Sequence, residues 1–433
     1  MSGTLQKDRT PPMYTDTVGC RACNSPNRIE ILSFGDMPLS NGLLSEAQTR
    51  GPEARFPLTL LFCPACSLVQ IRETVDPAVL FSADYPYFSS VSDAWVQHCR
   101  ANALELIETR HLGPESLVVE IASNDGYLLR NYVNAGVPVL GIDPAAGPAA
   151  AAREAGVPTR EAFFGRDYAH ALAQDGIHAD VVHANNVLAH VADLPGFVDG
   201  VGRLLKEGGV AVIEVPYVRD MIDHCEFDTI YHEHMSYFSV TAVTRLLAQH
   251  GLILTDVRQL PTHGGSLRLY VQKSGEPSAK VKQLLDEERA LGLDQSAYYR
   301  DFADRVAAVR RHLTELLGSL RSSGKRIAGY SVSAKGTILL NSAGIDGRLI
   351  DYLVDRSRHK QGKYMPGVHL PVYDTAKLLE EPMPDYLLLL AWNFKDEIMR
   401  QQQEYISRGG RFIVPIPEPA IVPAPVLSAA AVS

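Results

Sequence analysis

The chain has 433 residues, too many for one core of ordinary size, so two or three domains are expected. Its net charge of -9 is spread along the sequence with no block of Lys or Arg, which argues against nucleic-acid and membrane partners and favours a small-molecule substrate. No basic segment followed by an apolar stretch opens the chain, and no run of about 18 apolar residues occurs. We therefore expect a cytoplasmic protein.

Four regions follow one another between a polar start and an end rich in Pro, Ala and Ser, where no packed structure is expected. We predict a cysteine module (14–75), an α/β domain (76–275), a helical connector (276–322) and a second α/β domain (323–417). The strand patterns of the two α/β domains are LVVEIAS, VPVLGID, ADVVHANN and GGVAVIEVP, then KRIAGYS, LIDYLVD, DYLLLLAW and GGRFIVPIP. Strands that alternate with helix-length segments predict doubly wound, mostly parallel sheets.

The cysteine module contains two C-x-x-C pairs, formed by Cys20 with Cys23 and by Cys63 with Cys66. Four thiolates satisfy the tetrahedral preference of zinc and leave no open position for catalysis, so we predict a structural zinc site. A thioredoxin-like redox dithiol is the alternative, but such motifs do not occur as two matched copies.

Polar residues lie at the ends of three strands of the first α/β domain. The segment IASNDGY (121–127) follows the first strand, Asp143 ends the second, and Asn185 and Asn186 end the third. In doubly wound folds the ligand lies at these strand ends, and the acidic residue after the second strand accepts hydrogen bonds from ribose hydroxyls. We therefore predict a nucleoside-binding crevice.

The composition of the loop favours one cofactor. A dinucleotide needs the G-x-G-x-x-G pattern, and only Gly126 is present here. Glu120, Asn124 and Asp125 suit the ammonium and sulfonium groups of S-adenosylmethionine better than a diphosphate. A generic turn, with Asn-Asp-Gly present only for its backbone conformation, is the alternative.

The second α/β domain has a similar strand-to-helix turn that carries Ser331, Ser333 and Lys335, followed later by Lys360 and Lys363. Backbone amides and the positive end of a helix favour a phosphate, so a diphosphate site is predicted there. Solvated loop charges are the alternative.

Ten blocks span nearly the whole chain in one order: the paired CxxC module, YFSSVSDAW, EIASNDGYLL, GIDPA, ANNVLAHV, IYHEHMSYFS, HGGSLRLY, AKGTILLN, DYLVDRSRHKQGKYMPG and LAWNF. In these blocks the chain resembles the C-methyltransferases that act on TDP-4-keto-6-deoxyhexoses in antibiotic sugar biosynthesis. The resemblance implies a zinc-binding module, a central Rossmann-like class I methyltransferase domain and a C-terminal Rossmann-like α/β domain that helps to hold the nucleotide sugar.

Members of that family remove the proton beside the sugar ketone, usually at C-3, and transfer the methyl group of S-adenosylmethionine to that carbon. A monomer or weak homodimer is expected. The resemblance implies chemistry at Tyr231, Glu233, His234 and His190. It implies cofactor contacts at Tyr87, Ser90, Glu120, Ala122, Asn124, Asp125, Gly126, Asp143, Pro144, Asn185 and Asn186, and substrate contacts at Tyr85, His232, Gly265, Ser266, Arg268, Ser331, Ser333, Lys335, Lys360, Lys363 and Asn393.

The acidity of the carbon beside a ketone is too low for unaided ionisation, so the reaction needs a base with a pKa near neutrality. In an extended segment His232 and His234 share one face, so geometry cannot choose between them. The resemblance selects His234. Glu233 would then orient an imidazole or donate to the ketone oxygen, and Tyr231 is the alternative donor.

One block departs from the family: GYSVSAKG (329–336) stands where GYGAAAKG is expected, which leaves the accepted nucleotide sugar open. Other functions also stay open. They are a methyltransferase for another keto substrate, a nicotinamide-dependent nucleotide-sugar epimerase or dehydratase, a metal hydrolase with His232, His234 and His190 as ligands, and a non-enzymatic zinc module that binds nucleotides.

Overall fold

The structure is a computed structural model that describes residues 13–80 and 88–422. Its strands are β1 Tyr14–Asp16, β2 Ile29–Pro38, β3 Arg55–Phe62, β4 Val69–Ile71, β5 Glu73–Val75, β6 Val118–Ile121, β7 Val139–Asp143, β8 Thr159–Glu161, β9 Ala179–Asn185, β10 Leu205–Pro216, β11 Ser236–Tyr237, β12 Ile253–Leu260, β13 Ser266–Gln272, β14 Ile327–Tyr330, β15 Leu353–Val354, β16 Val372–Tyr373, β17 Tyr386–Leu389, β18 Arg411–Val414 and β19 Ala420–Val422.

The helices are α1 Pro77–Leu80, α2 Asp93–Thr109, α3 Leu129–Asn134, α4 Ala146–Glu154, α5 Arg166–Gln174, α6 Leu194–Leu204, α7 Val218–Asp223, α8 Val240–Ala248, α9 Ala279–Leu291, α10 Phe302–Ser322, α11 Ala334–Ala343, α12 Lys395–Gln401 and α13 Gln403–Ser407. Within the described ranges, none of them is both long and apolar enough to cross a membrane.

The central sheet has the order β12-β13-β10-β9-β6-β7-β8. The five strands from β10 to β8 are parallel, whereas β12 and β13 form an antiparallel hairpin at one edge. From β6 the chain continues to β7 and β8 on one side of the sheet and then crosses to β9 on the other side. The strand order therefore reverses between β6 and β9, and doubly wound sheets bind ligands at such a switch point. The predicted α/β class and its mostly parallel central sheet are confirmed.

The second parallel sheet has the order β16-β15-β14-β17-β18-β19. Its switch point lies between β14 and β17 for the same reason. Helices α9 and α10 precede it, as predicted for the connector. The prediction that the end of the chain lacks packed structure is wrong for β19, which pairs antiparallel with β18.

The N-terminal sheet has the order β11-β4-β3-β2, so a strand from far along the chain completes it. Strand β11 pairs with β4 through Ser236 opposite Gln70 and Tyr237 opposite Val69. Since β11 directly follows the YHEH segment, the N-terminal sheet contributes to placing that segment. The sequence analysis did not anticipate this contact.

Candidate active site

The first crevice is formed by the loop after β6 and the residues that follow β9. Ala122, Asn124 and Gly126 have positive φ angles of 54°, 50° and 76°, which turn the loop back toward the sheet. A Cβ on Gly126 would lie 2.9 Å from Val157, so only glycine fits this position. The tight loop leaves its backbone close to the crevice.

Asp143 ends β7 beside this loop. Its carboxylate accepts hydrogen bonds from the N–H groups of Asn124 and Ala145, each at 2.8 Å. Burial raises the pKa of Asp143, and these two backbone donors oppose the shift. The predicted ribose partner is therefore fixed at the rim, next to the half-buried Pro144.

The two acidic residues of the loop lie in different surroundings. Glu120 exposes no surface, and burial raises its pKa well above the usual range. Asp125 is only partly buried and accepts a hydrogen bond from the N–H of Ser90 at 3.2 Å. The negative charge predicted for this loop therefore comes from Asp125.

Two asparagines face the loop from the end of β9. The buried side-chain amide of Asn185 has no hydrogen-bond partner among the described residues. Asn186 has a positive φ of 55°, and its N–H donates to the Glu214 carbonyl at 2.8 Å. A buried amide without a partner is the kind of group that a ligand satisfies.

His234 lies beside the residues that follow β9. Its Nδ1 is 2.9 Å from the Thr229 carbonyl oxygen and its Nε2 is 2.7 Å from the Tyr231 hydroxyl. A carbonyl only accepts, so Nδ1 carries the proton in the neutral ring and Nε2 accepts from Tyr231. The ring of His190 meets that of His234 edge-on, with centroids 4.8 Å apart. Burial lowers the pKa of His190 to about 4.

His232 and Glu233 have partners of their own. The Nε2 of His232 lies 3.0 Å from the Pro57 carbonyl, and burial lowers the pKa of this histidine. Glu233 is buried, and both of its oxygens accept from the Asn41 amide, at 2.8 and 2.9 Å. The structure thus separates the two histidines that the sequence could not distinguish.

The second crevice opens at the end of β14. Ser331 has a positive φ of 76°, and the Val332 N–H donates to Asp355 at 2.7 Å, much as Asn124 donates to Asp143 in the first domain. Lys360 donates to the Val332 carbonyl at 2.8 Å. Ser333 caps α11 by accepting from the Gly336 N–H at 3.1 Å. Lys360 is therefore bonded to the loop that follows β14 and places a positive charge beside it.

Lys335 lies at the interface between the central α/β domain and the second α/β domain. Its ammonium is 4.8 Å from the Trp392 ring centroid and 4.0 Å from Glu226. Trp392 Nε1 donates to Asp228 at 2.7 Å. Burial raises the pKa of Glu226 to about 7, and Lys335 opposes this shift. Lys335, the residue predicted to bind a phosphate, therefore already lies beside an acidic side chain.

The HGGS segment packs against acidic side chains. A Cβ on Gly264 or Gly265 would overlap the carboxyl groups of Glu226 or Asp220, at 2.3 and 2.1 Å respectively. Ser266 is buried and donates to the Thr262 carbonyl at 2.9 Å. The two glycines therefore make room for two carboxyl groups.

Arg268 was predicted to contact substrate but is buried in an ion pair. Its Nε donates to Glu214 at 2.7 Å, and His98 Nε2 lies 2.9 Å from the same carboxyl group. Burial raises the pKa of Glu214, but His98 and Arg268 outweigh it and the net shift is downward. This network supports the ends of β10 and β13.

Four other predicted contacts remain. Tyr85 and Tyr87 lie outside the described residues. Asn393 is half-buried beside Trp392, and the Lys363 carbonyl accepts from the Val372 N–H at 2.9 Å.

Three residues of this interface, Asp228, Trp392 and Glu226, were not among the predicted site residues. The block LAWNF was noted, but a contact between blocks about 160 residues apart leaves no local pattern.

The four module cysteines form one compact cluster. Their Sγ atoms lie within 4.8 Å of one another, with 3.5 Å between Cys20 and Cys66 and 3.7 Å between Cys23 and Cys63. Zn–S bonds of about 2.3 Å in a tetrahedron require S···S edges of about 3.8 Å. Hydrogen bonds from Cys63 and Cys66 lower the pKa of Cys20. The residues fit a closed, structural zinc site.

The cluster is part of a larger core. Cys20, Cys63 and Cys66 belong to the same apolar cluster as β9, β10 and α8 of the central domain. Arg245 of α8 donates to Ser67 at 2.7 Å, and Gln70 of β4 donates to Cys20 at 3.1 Å. The cysteine cluster is therefore continuous with the core of the central domain.

Sequence comparisons agree with this architecture. Three family models match: "Putative zinc binding domain" over residues 20–81, "Methyltransferase domain" over 96–257 and "C-methyltransferase C-terminal domain" over 261–417. The C-methyltransferase NovU of Streptomyces niveus is 36% identical over 408 residues, which cover 94% of this chain and 97% of the relative.

Solved structures give more distant matches. Magnesium protoporphyrin IX methyltransferase from Synechocystis, with bound SAM, is 16% identical with a TM-score of 0.32, over 41% of this chain and 79% of that one. An S-adenosylmethionine-dependent methyltransferase from Clostridium acetobutylicum is 14% identical with a TM-score of 0.35, over 42% and 92%.

The crevices, the histidine segment and the zinc cluster together define a methyltransferase with a zinc-binding module. The chain belongs to the family of C-methyltransferases that includes NovU. The predicted family, enzyme class and pair of cofactors are confirmed.

Zinc removal should affect the active site as well as the module. We expect one zinc per chain by elemental analysis, and Cys63→Ala should lose it, because three thiolates do not close the tetrahedron. The melting temperature and methyl transfer should then both fall, since β11 pairs with β4. Cys99→Ala, which removes a buried cysteine outside the cluster, should retain the zinc. Full activity of zinc-free Cys63→Ala would contradict the link to the active site.

Arg268 should contribute to the free energy of unfolding through its buried ion pair with Glu214. Arg268→Met removes the cationic partner of Glu214 and leaves this buried carboxyl group with His98 alone, which should cost on the order of 3–5 kcal/mol in denaturant unfolding of the zinc-loaded protein. Because the folded-state pKa of Glu214 is depressed, this stabilisation should be present above the unfolded-state pKa and be lost as pH falls through the folded value.

Arg258→Met is the matched control, since Arg258 lies opposite Arg268 on β12 and its pair with Glu105 is exposed. It should cost at most about 1 kcal/mol. Equal unfolding midpoints for the two variants would show that the buried pair is not stabilising.

Proposed function

We propose that the enzyme methylates a carbon beside the ketone of a nucleotide-linked 4-keto-6-deoxy sugar, at C-3, with His234 as the base. The observation that carries the proposal is the position of His234. On one side it contacts His190, which follows β9 at the first crevice. On the other side it is bonded to the turn Phe227–Thr229, whose Asp228 bonds Trp392 at the second crevice.

In this proposal the first crevice holds S-adenosylmethionine, which supplies an electrophilic methyl group. Asp143 would bind the ribose hydroxyls, and Asp125 would face the ammonium of the methionine moiety. The Asn185 amide, buried without a partner among the described residues, would hydrogen-bond the cofactor. The residues present therefore fit this cofactor.

The second crevice would hold the nucleotide part of the substrate. It lies at the switch point of its sheet, where such folds bind nucleosides. Ser331 turns the backbone there, and Lys335 offers a cation over the Trp392 ring. The two crevices then bring cofactor and substrate to the two sides of one histidine.

The chemistry follows from the protonation of His234. With Nδ1–H donated to Thr229, the lone pair on Nε2 faces the Tyr231 hydroxyl. The base would remove the proton beside the ketone, and the Tyr231 hydroxyl would donate to the enolate oxygen as negative charge forms there. Because its pKa is low, His190 stays neutral at physiological pH. It therefore does not repel the positive charge that His234 would gain on taking up the proton.

A metal hydrolase receives no support from this geometry. His232 bonds the Pro57 carbonyl and does not converge with His234. Within residues 13–80 and 88–422, the cysteine cluster is the only group of at least three residues arranged to hold a metal.

His234→Asn should abolish both methyl transfer and exchange of the substrate proton with deuterated solvent, because asparagine offers no basic nitrogen. S-adenosylmethionine binding by calorimetry should be unchanged. His232→Asn is the matched control and should retain exchange, although loss of its bond to Pro57 lowers stability. Exchange at the wild-type rate in His234→Asn would show that another group is the base.

Lys335→Ala should weaken binding of free TDP by roughly ten- to a hundredfold, since removal of one charged hydrogen bond costs about 1.5–3 kcal/mol. S-adenosylmethionine affinity should not change. Lys377→Ala is the matched control, because Lys377 also lies over an aromatic ring and beside a glutamate, Tyr373 and Glu380, but is not part of the predicted site. Calorimetry with equal TDP affinities for wild type and Lys335→Ala would remove Lys335 from the proposed site.

A further inference from the structure

The turn Phe227–Thr229 connects the second α/β domain to His234. Asp228 in this turn exposes no surface, and its Oδ2 accepts from Trp392 Nε1 at 2.7 Å. At the end of the same turn, the backbone N–H of Thr229 donates to the Glu226 carbonyl at 3.2 Å. The carbonyl of the same Thr229 is 2.9 Å from His234 Nδ1. One short turn thus joins an indole of the second domain to the imidazole.

The carboxylate of Asp228 lies where burial is costly. Its Oδ1 has no hydrogen-bond partner among the described residues, and burial raises its pKa while Lys335 opposes the shift. Packing alone would be served as well by an apolar side chain, which needs no compensating cation. The arrangement therefore indicates a directional role for this group.

We infer that Asp228 and Trp392 are positioning residues for His234. The hydrogen bond from Trp392 fixes the turn, the turn holds the Thr229 carbonyl against Nδ1, and the proton therefore stays on Nδ1 while Nε2 keeps its lone pair. This inference extends the proposed function, because it matters for catalysis only if His234 is the base. The domain that would hold the nucleotide thereby sets the tautomer of the base.

The tautomer can be measured without substrate. In the zinc-loaded full-length protein with ¹⁵N-labelled histidine, the signals of His234 are those that disappear in His234→Asn. Wild type should show the Nδ1–H form. Trp392→Phe keeps an aromatic ring but removes the donor, so its His234 signals should shift toward a mixture of both tautomers.

Tyr299→Phe is the matched control, because Tyr299 is also buried and donates one hydrogen bond, to the Leu293 carbonyl at 2.8 Å, away from the turn. It should keep the Nδ1–H form. If Trp392→Phe does not fold, Asp228→Asn replaces it, since the amide keeps the size of the side chain and should shift the tautomer in the same direction.

Kinetics then test the consequence. Trp392→Phe should lower kcat and the rate of solvent exchange together, by about ten- to a hundredfold, as expected for a misplaced catalytic group. The affinity for S-adenosylmethionine should stay at the wild-type value. An unchanged Nδ1–H form in Trp392→Phe and Asp228→Asn overturns the inference. A shifted tautomer with exchange at the wild-type rate supports the positioning but refutes His234 as the base.

Discussion

The main chain of Met235 fixes the active-site segment from both sides. Its N–H donates to the Ala189 carbonyl at 2.7 Å, and its carbonyl accepts from the Ile71 N–H at 3.0 Å. Because buried peptide groups must be paired, neither neighbour can move without leaving one unsatisfied. The histidine segment is therefore held between the loop that follows β9 and the sheet of the zinc module. The module's cysteines Cys20, Cys63 and Cys66 likewise share one apolar core with the central sheet.

The two parallel sheets share one hydrogen-bond arrangement. In each domain an acidic residue at the end of the second strand accepts a backbone N–H from the loop after the first strand, through Asp143 in one and Asp355 in the other. The turn Phe227–Thr229 links the second sheet to the histidine segment, because Trp392 bonds Asp228 and His234 bonds the Thr229 carbonyl. Methyl transfer requires the methyl donor to meet the accepting carbon, so the regions that would hold the two reactants must lie next to each other.

Buried charges set much of the local geometry. Glu214 is held by Arg268 and His98, and Glu288 accepts from Tyr217, Val240 and Thr241. At low dielectric an unpaired partner is costly, so each group permits few arrangements of its neighbours.

The sequence by itself determined the zinc ligands, the two Rossmann-like patterns and the cofactor loop, because spacing and strand periodicity are local properties. It did not anticipate that β11 completes the zinc module's sheet, that Arg268 is buried against Glu214, or that Asp228 meets Trp392. It also could not choose between His232 and His234 by geometry, since an extended segment places both on one face. The tertiary structure gives the two rings different partners, because chain packing brings the Pro57 carbonyl, 175 residues away, to His232 and brings the ring of His190 to His234.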